Sequence, residues 1–312
     1  MFMIDTPVLE TLMFLKKHGN AYITGGYLRD KLLAHYTDVQ IKPKDIDITT
    51  DIPFQTLKAL IPKLHVTEQG EKLKIGRFQR RGMSYEIKSI SIPIEEDIKQ
   101  KDFTINSFYY DGEKIMDLYN GLDAIKSKEI IPLQDFLTHC KEHPQAYLRA
   151  IRLASKMNGT IAPSLFDIMK ANQAIFFQNN ENRIRQEGYE ILHSSYPQVG
   201  ITILKDLHLI NNSLFLSKEA LQFDVQDTPF LLGFLSVYSN TKLIDELQEL
   251  FRIKPLHIEK MHEILKLDSL PLQELSPKQL TKVIKWTRYK YQLEPEKLEA
   301  FFIKIRTHLQ KE

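Results

Sequence analysis

Cysteine is nearly absent from the 312 residues: only Cys140 occurs. A single thiol excludes an intramolecular disulfide and suits a reducing compartment. Long apolar runs are missing as well, and no stretch reaches the length a membrane-spanning helix needs. The opening residues MFMIDTPVLE have neither a basic leader nor a cleavable apolar stretch, so the expectation is a cytoplasmic protein with no membrane partner. Charge of one sign is not in excess: 42 Lys+Arg stand against 40 Asp+Glu, a net charge of +2. No global field announces nucleic acid, so any such surface has to be a local patch. Neither a low-complexity segment nor a repeat of fixed period is visible. What is present is an ordinary globular composition, 43% hydrophobic and 26% charged, long enough for two or three domains with real cores.

The most informative segment is Ala21–Thr50, AYITGGYLRDKLLAHYTDVQIKPKDIDITT. Asp45 and Asp47 are two apart in a β-type context, which puts both carboxylates on one face of a strand. Two carboxylates so placed repel unless they are exposed, protonated or sharing a cation. Upstream, Gly25 and Gly26 separate an expected strand, Ala21–Thr24, from an expected helix, Leu28–Ala34. Glycines at a helix start let backbone N–H groups approach a phosphate. Taken singly, Asp-x-Asp is commonly a solvated turn and Gly-Gly a plain turn. In this order, inside a strand–turn–helix–strand frame, they form a phosphate cradle with Arg29 beside a carboxylate pair. That is the equipment of Mg²⁺-dependent nucleotidyl transfer.

Two regimes divide the chain. Up to about Pro132, strands are expected at Ala21–Thr24, Asp45–Thr49, His65–Glu68, Lys72–Gln79, Ser84–Ile92 and Lys114–Asp117. Helices Thr6–Lys17, Leu28–Ala34 and Phe54–Ile61 interleave with them. From about Pro144 strand signals vanish, and apolar residues recur at helical spacing, as in Leu148, Ile151, Leu153 and Ala154 or Leu243, Ile244, Leu247 and Leu250. Prolines such as Pro163, Pro197, Pro255, Pro277 and Pro295 stand near helix starts. Between Lys72 and Lys88, the cations Lys72, Lys74, Arg77, Arg80, Arg81 and Lys88 face only Glu86. This local excess reads either as a phosphate-backbone surface or as a solvated, charged hairpin.

Further strings join GGYLRD and DID in order: KDFTINSFYYDGE (Lys101–Glu113), MDLYNGLDAIKSKEI (Met116–Ile130), YLRAIRLASKM (Tyr147–Met157) and ENRIRQEGYEIL (Glu181–Leu192). Together they resemble the family of tRNA CCA-adding enzymes and bacterial poly(A) polymerases, over roughly Gly25 to Phe215. FTINSFYY and VTEQGEKLKIGRF (Val66–Phe78) are more similar to the poly(A) polymerases. The resemblance implies an α+β fold, a polymerase-β-like nucleotidyltransferase head followed by an all-helical neck and body. The implied divisions are 1–135, 136–215 and 216–312. It also implies roles. Gly25, Gly26 and Arg29 hold the triphosphate, and Asp45 and Asp47 bind two Mg²⁺ ions, one acting on the RNA 3′-OH and one on the departing pyrophosphate. Asp102 matches a family aspartate as third carboxylate, with Glu86 on the strand SYEIKSI as the alternative and an N-cap or ion-pair role for Asp102 left open. Lys101, Arg149 and Arg152 contact the nucleotide, the two arginines sharing a helix face. Asp30 serves the turn or its neighbouring arginine.

Three departures bear on specificity. The neck helix of the family begins Glu-Asp-x-x-Arg, whose Asp and Arg present hydrogen-bonding edges to the base. Here it reads EHPQA, with Glu142 kept, His143 at the Asp position and Ala146 at the Arg position. The Arg-Arg-Asp before FTIN is Gln100-Lys101-Asp102, and lysine replaces arginine as a point charge but not as a planar fork. The Tyr36–Lys44 stretch is longer than the family's compact spacing and reads as a loop insertion. The expected function is template-independent addition of AMP from ATP to an RNA 3′ end, on tRNA or another RNA. The alternatives are CCA addition to tRNA, a catalytically degenerate fold kept for RNA binding, and transfer to another acceptor. No oligomeric state is read from the sequence.

Overall fold

The computed structural model describes residues 3–39, 45–212, 228–237, 239, 242–292 and 294–309. The chain forms two compact units, Met1–His143 with Gly159–Leu165, and Pro144–Asn158 with Phe166–Glu312.

The first unit runs α1 (Thr6–Lys16), β1 (Ala21–Thr24), α2 (Gly25–Tyr36), β2 (Asp45–Thr50), α3 (Phe54–Leu60), α4 (Glu68–Leu73), β3 (Ile75–Arg80), β4 (Met83–Ser89) and α5 (Ile94–Lys99). A 3₁₀ turn at Thr104–Asn106 follows, then β5 (Phe108–Tyr110), β6 (Ile115–Asp117), α6 (Gly121–Ser127), β7 (Glu129–Ile130) and α7 (Phe136–Glu142). Six strands make one sheet in the order β3-β4-β2-β1-β5-β6. All neighbours in it are antiparallel except β2 and β4, which run parallel. Alternation gives the sheet two chemically different faces. Ile23, Ile46, Ile48, Tyr85 and Ile87 turn to one face and are at most 1% exposed. Side chains of this kind contribute roughly 1.5–3 kcal/mol each when fully buried. Thr11 of α1 reaches the same face, its Oγ1 lying 3.1 Å from the Tyr85 hydroxyl. Asp45 and Asp47 alternate to the other face. Further along that face Tyr22 packs with Ile90, Ile94, Ile98 and Tyr109, which fastens α5 there.

The second unit is helical: α8 (Gln145–Met157), α10 (Glu181–Leu192), α11 (Pro197–Asp206), α12 (Thr228–Val237), α13 (Lys242–Phe251), α14 (Pro255–Asp268), α15 (Pro277–Lys290) and α16 (Pro295–Leu309). Between α8 and α10 the chain forms β8 (Thr160–Ile161) and α9 (Pro163–Ala171). Helix α10 meets α13 closely enough that a Cβ on Gly188 would lie 2.4 Å from Phe251 Cγ.

Several expected elements differ. The strand expected at His65–Glu68 is reduced to one bridge between His65 and Arg77, and the first residues of the expected Lys72–Gln79 strand belong to α4. Thr67 accounts for this, because its Oγ1 accepts the Gly70 N–H at 3.0 Å and caps the helix, with Glu68 and Glu71 in the first turn. Helix α2 starts at Gly25, three residues before the expected Leu28. Strand β5 is not among the expected strands, and β8 pairs in parallel with β7 beyond the point where strand signals fade. The expected insertion at Tyr36–Lys44 and the expected division at 216 fall in part or wholly outside the described residues. No helix among the described residues is long and apolar enough to cross a membrane.

Candidate active site

Strand β2 places Asp45 and Asp47 where the sheet and the start of α2 meet. Asp47 is in register with Thr24 of β1 on one side and Glu86 of β4 on the other, and Glu86 is in register with Arg77 of β3. Arg77 donates to Glu86 Oε2 from Nε at 2.8 Å, with Nη2 at 2.7 Å. Asp45 lies one row along the same face and is exposed.

The helix start is fitted to Asp47. The Gly26 N–H donates to Asp47 Oδ2 at 2.9 Å. Gly25 has φ +66°, and a Cβ there would stand 2.2 Å from the same oxygen. Glycine is required at that position twice over, for the left-handed backbone and for the approach of the carboxylate. In this state the glycine pair therefore cradles the Asp47 carboxylate. Burial pushes the Asp47 carboxyl above its usual range and the Glu86 charge adds to this, while the Gly26 N–H, Lys101 and Arg29 act in the opposite direction.

Arg29 is buried. Its Nε and Nη2 donate to Asp30 Oδ1 at 2.9 and 2.8 Å, and Nη1 donates to Asn106 Oδ1 at 2.7 Å. Asn106 donates in turn to Asp102 Oδ1 at 2.9 Å, and the Phe103 N–H reaches the same oxygen at 2.9 Å. Asp30, Arg29, Asn106 and Asp102 thus form a continuous buried network from α2 to the FTIN turn. Of the two candidates for a third carboxylate, Glu86 is the one in register beside Asp47, whereas Asp102 is engaged in this network. Asn106 is the residue that sequence reasoning passed over, although FTIN contains it. Lys101 forms an ion pair with Asp97 at 3.7 Å, and its charge reaches Asp47.

Arg149 and Arg152 belong to α8 in the second unit. Arg152 Nε donates to Glu187 Oε2 at 2.6 Å, and Arg183 stands 3.7 Å from the other oxygen of that buried carboxylate. Arg149 is half-buried. Ala146 is 0% exposed, a methyl group inside the packing of α8, while His143 ends α7 with its ring 4.9 Å from that of His139. The basic segment does not form a free cationic surface. Arg77 pairs with Glu86, Arg81 with Glu10, Lys88 with Asp97 and Lys72 with Glu68, while Arg80 lies over the Phe14 ring. Four of the six cations are paired with acids, three of which come from outside the segment, so the excess along the sequence is largely offset.

Among the described residues no group of three or more His, Cys, Asp or Glu could hold a metal ion. The Asp45–Asp47 pair nonetheless fits Mg²⁺, which is characteristically held by one or two carboxylates and completed by water and substrate phosphates. The donors are hard oxygens, and the Asp47 carboxyl is held above its usual range where a cation would favour the charged form.

Residues 21–131 match the model of the poly(A) polymerase head domain. Poly(A) polymerase I of Escherichia coli is 26% identical over 234 residues, covering 66% of this chain and 49% of that protein. The CCA-adding enzyme of Lactococcus lactis subsp. cremoris is 27% identical over 223 residues, covering 65% of this chain and 53% of that protein. The chain therefore spans about half the length of the curated relatives it matches. The crystal structure of the Bacillus stearothermophilus CCA-adding enzyme in complex with CTP shares its fold, with a TM-score of 0.73 and 19% identity over 96% of this chain and 83% of that one. Residues 21–131 thus match the poly(A) polymerase head domain, and about two thirds of the chain is similar to the nucleotidyltransferases named poly(A) polymerase I and CCA-adding enzyme.

Proposed function

We propose that the protein is an RNA nucleotidyltransferase that adds AMP from ATP to RNA 3′ ends. The observation that carries the proposal is the junction of β2 with α2, where Asp45 and Asp47 share a sheet face and the Gly26 N–H and the bare Gly25 backbone close on Asp47. In this reading Asp45 and Asp47 hold Mg²⁺, with Glu86 as the adjoining carboxylate. The bound metal supplies a more acidic 3′-OH and neutralisation of the leaving pyrophosphate. Arg29 keeps a fixed guanidinium beneath the helix start through Asp30 and Asn106, and Lys101 contributes a point charge toward the phosphates. Arg149 and Arg152 enter the proposal as nucleotide contacts from α8, and RNA is the acceptor.

A second reading, ordered CCA addition to tRNA, is favoured by the relatives named CCA-adding enzyme, which match this chain as well as the poly(A) polymerases do. Against a switchable base reader stands Ala146, which offers no donor and whose side chain is enclosed in the helix packing. AMP addition is preferred on that ground.

The test offers the full chain Mg²⁺ and each labelled nucleoside triphosphate with oligo(A) RNA, with tRNA lacking its CCA end, or with no RNA. Extension of oligo(A) with ATP alone is the expected result, and a three-nucleotide stop on tRNA supports the second reading. Asp47→Ala is expected to lower incorporation by roughly 10³-fold or more, the loss of several kcal/mol of metal-dependent stabilisation. Undiminished incorporation by that variant rejects the site.

A further inference from the structure

Asp97 is a buried acidic residue for which the proposed chemistry has no use, and its surroundings are unusual. Its side chain on α5 is 0% exposed, yet two lysines are gathered on it. Lys88 Nζ donates to Oδ1 at 2.5 Å. Among the described residues Oδ2 makes no hydrogen bond, and Lys101 Nζ stands 3.7 Å from it. One buried carboxylate requires one cation for neutrality. Lys88 supplies it, from the same face of β4 as Glu86. Lys101 is then surplus, a partly exposed ammonium kept within ion-pair range but outside hydrogen-bond range. Lys88 stands two residues from Glu86, the register partner of Asp47, so the cluster of Lys88, Asp97 and Lys101 adjoins the carboxylate site.

We propose that Asp97 is a positioning residue that holds Lys101 at the edge of the carboxylate site as an uncommitted cation for a nucleoside triphosphate, with Lys88 carrying the neutralisation. This rests on the reading of the head as a triphosphate site. The arrangement suits a task that a fully hydrogen-bonded lysine performs badly. An ammonium already donating to a buried acid must give up that bond before it can serve a phosphate, whereas Lys101 has only to turn. A lysine with no acid beside it would carry the full rotamer entropy of its stem into the complex.

The direction of the effect separates placement from bare charge. A carboxylate acting only through its field repels a triphosphate, so Asp97→Asn would tighten binding. A carboxylate acting by placing Lys101 weakens binding when removed. ATP affinity of the full chain, measured calorimetrically with Mg²⁺, is compared for wild type, Asp97→Asn, Lys101→Met and the double variant. Lys101→Met is expected to weaken binding about tenfold, the scale of one charge-assisted contact. Asp97→Asn is expected to weaken it several-fold, and the double variant to bind no more weakly than Lys101→Met alone. Tighter binding by Asp97→Asn, or additive losses, overturns the inference. Should Asp97→Asn lose its cooperative thermal transition, Lys88→Met provides the same information. Lys101 then becomes the only counter-ion of Asp97 and is drawn into its hydrogen bond. Lys88→Met therefore weakens ATP binding several-fold while Lys101 is present, and adds nothing to the loss in a protein that already carries Lys101→Met. An effect of the same size with and without Lys101→Met overturns the inference. Absence of ATP binding by the wild type overturns the triphosphate reading and this inference with it, whereas wild-type binding with additive variants overturns this inference alone.

Discussion

Asp47 is held above the ordinary carboxylate range chiefly by burial, and that has a consequence for stability as well as for chemistry. In the unfolded chain its carboxyl returns to the ordinary value of 3.8. Between that value and the higher folded one, the folded state binds more protons than the unfolded state. Stability therefore falls as pH rises through this window, and the full cost of the charge is present above it. Asparagine has no such titration, and its side-chain oxygen can still accept the Gly26 N–H. Asp47→Asn is thus expected to melt above the wild type at neutral pH, with the gap closing as the pH falls to about 4, while catalytic turnover is lost. Thermal denaturation of both proteins from neutral to mildly acidic pH checks this. A wild type more stable than the variant at neutral pH would show that Asp47 is a structural anchor. The same residue illustrates what a sequence discloses. DID and GGYLRD place carboxylates and glycines in the right order, but they do not reveal that Asp47 leaves no room for a side chain at position 25. That is a distance between two elements, and no spacing along the chain encodes it.

At the scale of elements, the junction of β1, α2 and β2 can be broken in graded fashion. At Gly25 an added methyl meets the Asp47 carboxylate at 2.2 Å and also forces an L residue to φ +66°. At Gly26 the nearest atom to such a methyl is Arg29 Nη2 at 3.4 Å, and no positive φ is needed. Gly25→Ala is therefore expected to cost about 2–4 kcal/mol, from left-handed strain and overpacking together. Gly26→Ala is expected to cost less than about 1 kcal/mol and to retain most activity. Equal losses, measured by denaturant unfolding, would show that the helix start is not shaped around Asp47. The elements most readily read from sequence are those whose apolar residues report one environment, such as β1, β2, β4 and the helices after Pro144. Helix α4 escapes such a reading because β-branched Val66 and Thr67 precede it, and Thr67 acts as a cap and not as a strand residue. Strand β5 escapes because FTINSFYY combines a 3₁₀ turn with a strand of three residues, too short for any period to show. Cations of the Lys72–Lys88 segment look free in the sequence for a similar reason. Glu10, Asp97 and Glu68, which pair three of them, lie outside that window.

For the whole molecule, the carboxylate site is contained in the first unit, whereas α8 with Arg149 and Arg152 belongs to the second. A ligand that binds only the folded state stabilises it by mass action, about 2.7 kcal/mol at a concentration roughly one hundred times its dissociation constant. Mg²⁺ with ATP at such a concentration is expected to slow amide exchange in β1, β2 and the first turn of α2, where Asp47, Gly25 and Gly26 lie. The protection should vanish in Asp47→Ala, and ATP without the metal should give less of it, because the carboxylate pair then repels the triphosphate it is meant to hold through a cation. Exchange mapped peptide by peptide reads each unit separately, so slowing of α8 in the same experiment tests Arg149 and Arg152 as nucleotide contacts independently of the head. Protection that appears in the head equally for wild type and Asp47→Ala would place the nucleotide elsewhere on the sheet. Protection that requires both the metal and Asp47 would tie the binding of nucleotide to the carboxylate pair, because the dependence on the metal separates this effect from the direct bond of Asp47 to the Gly26 N–H.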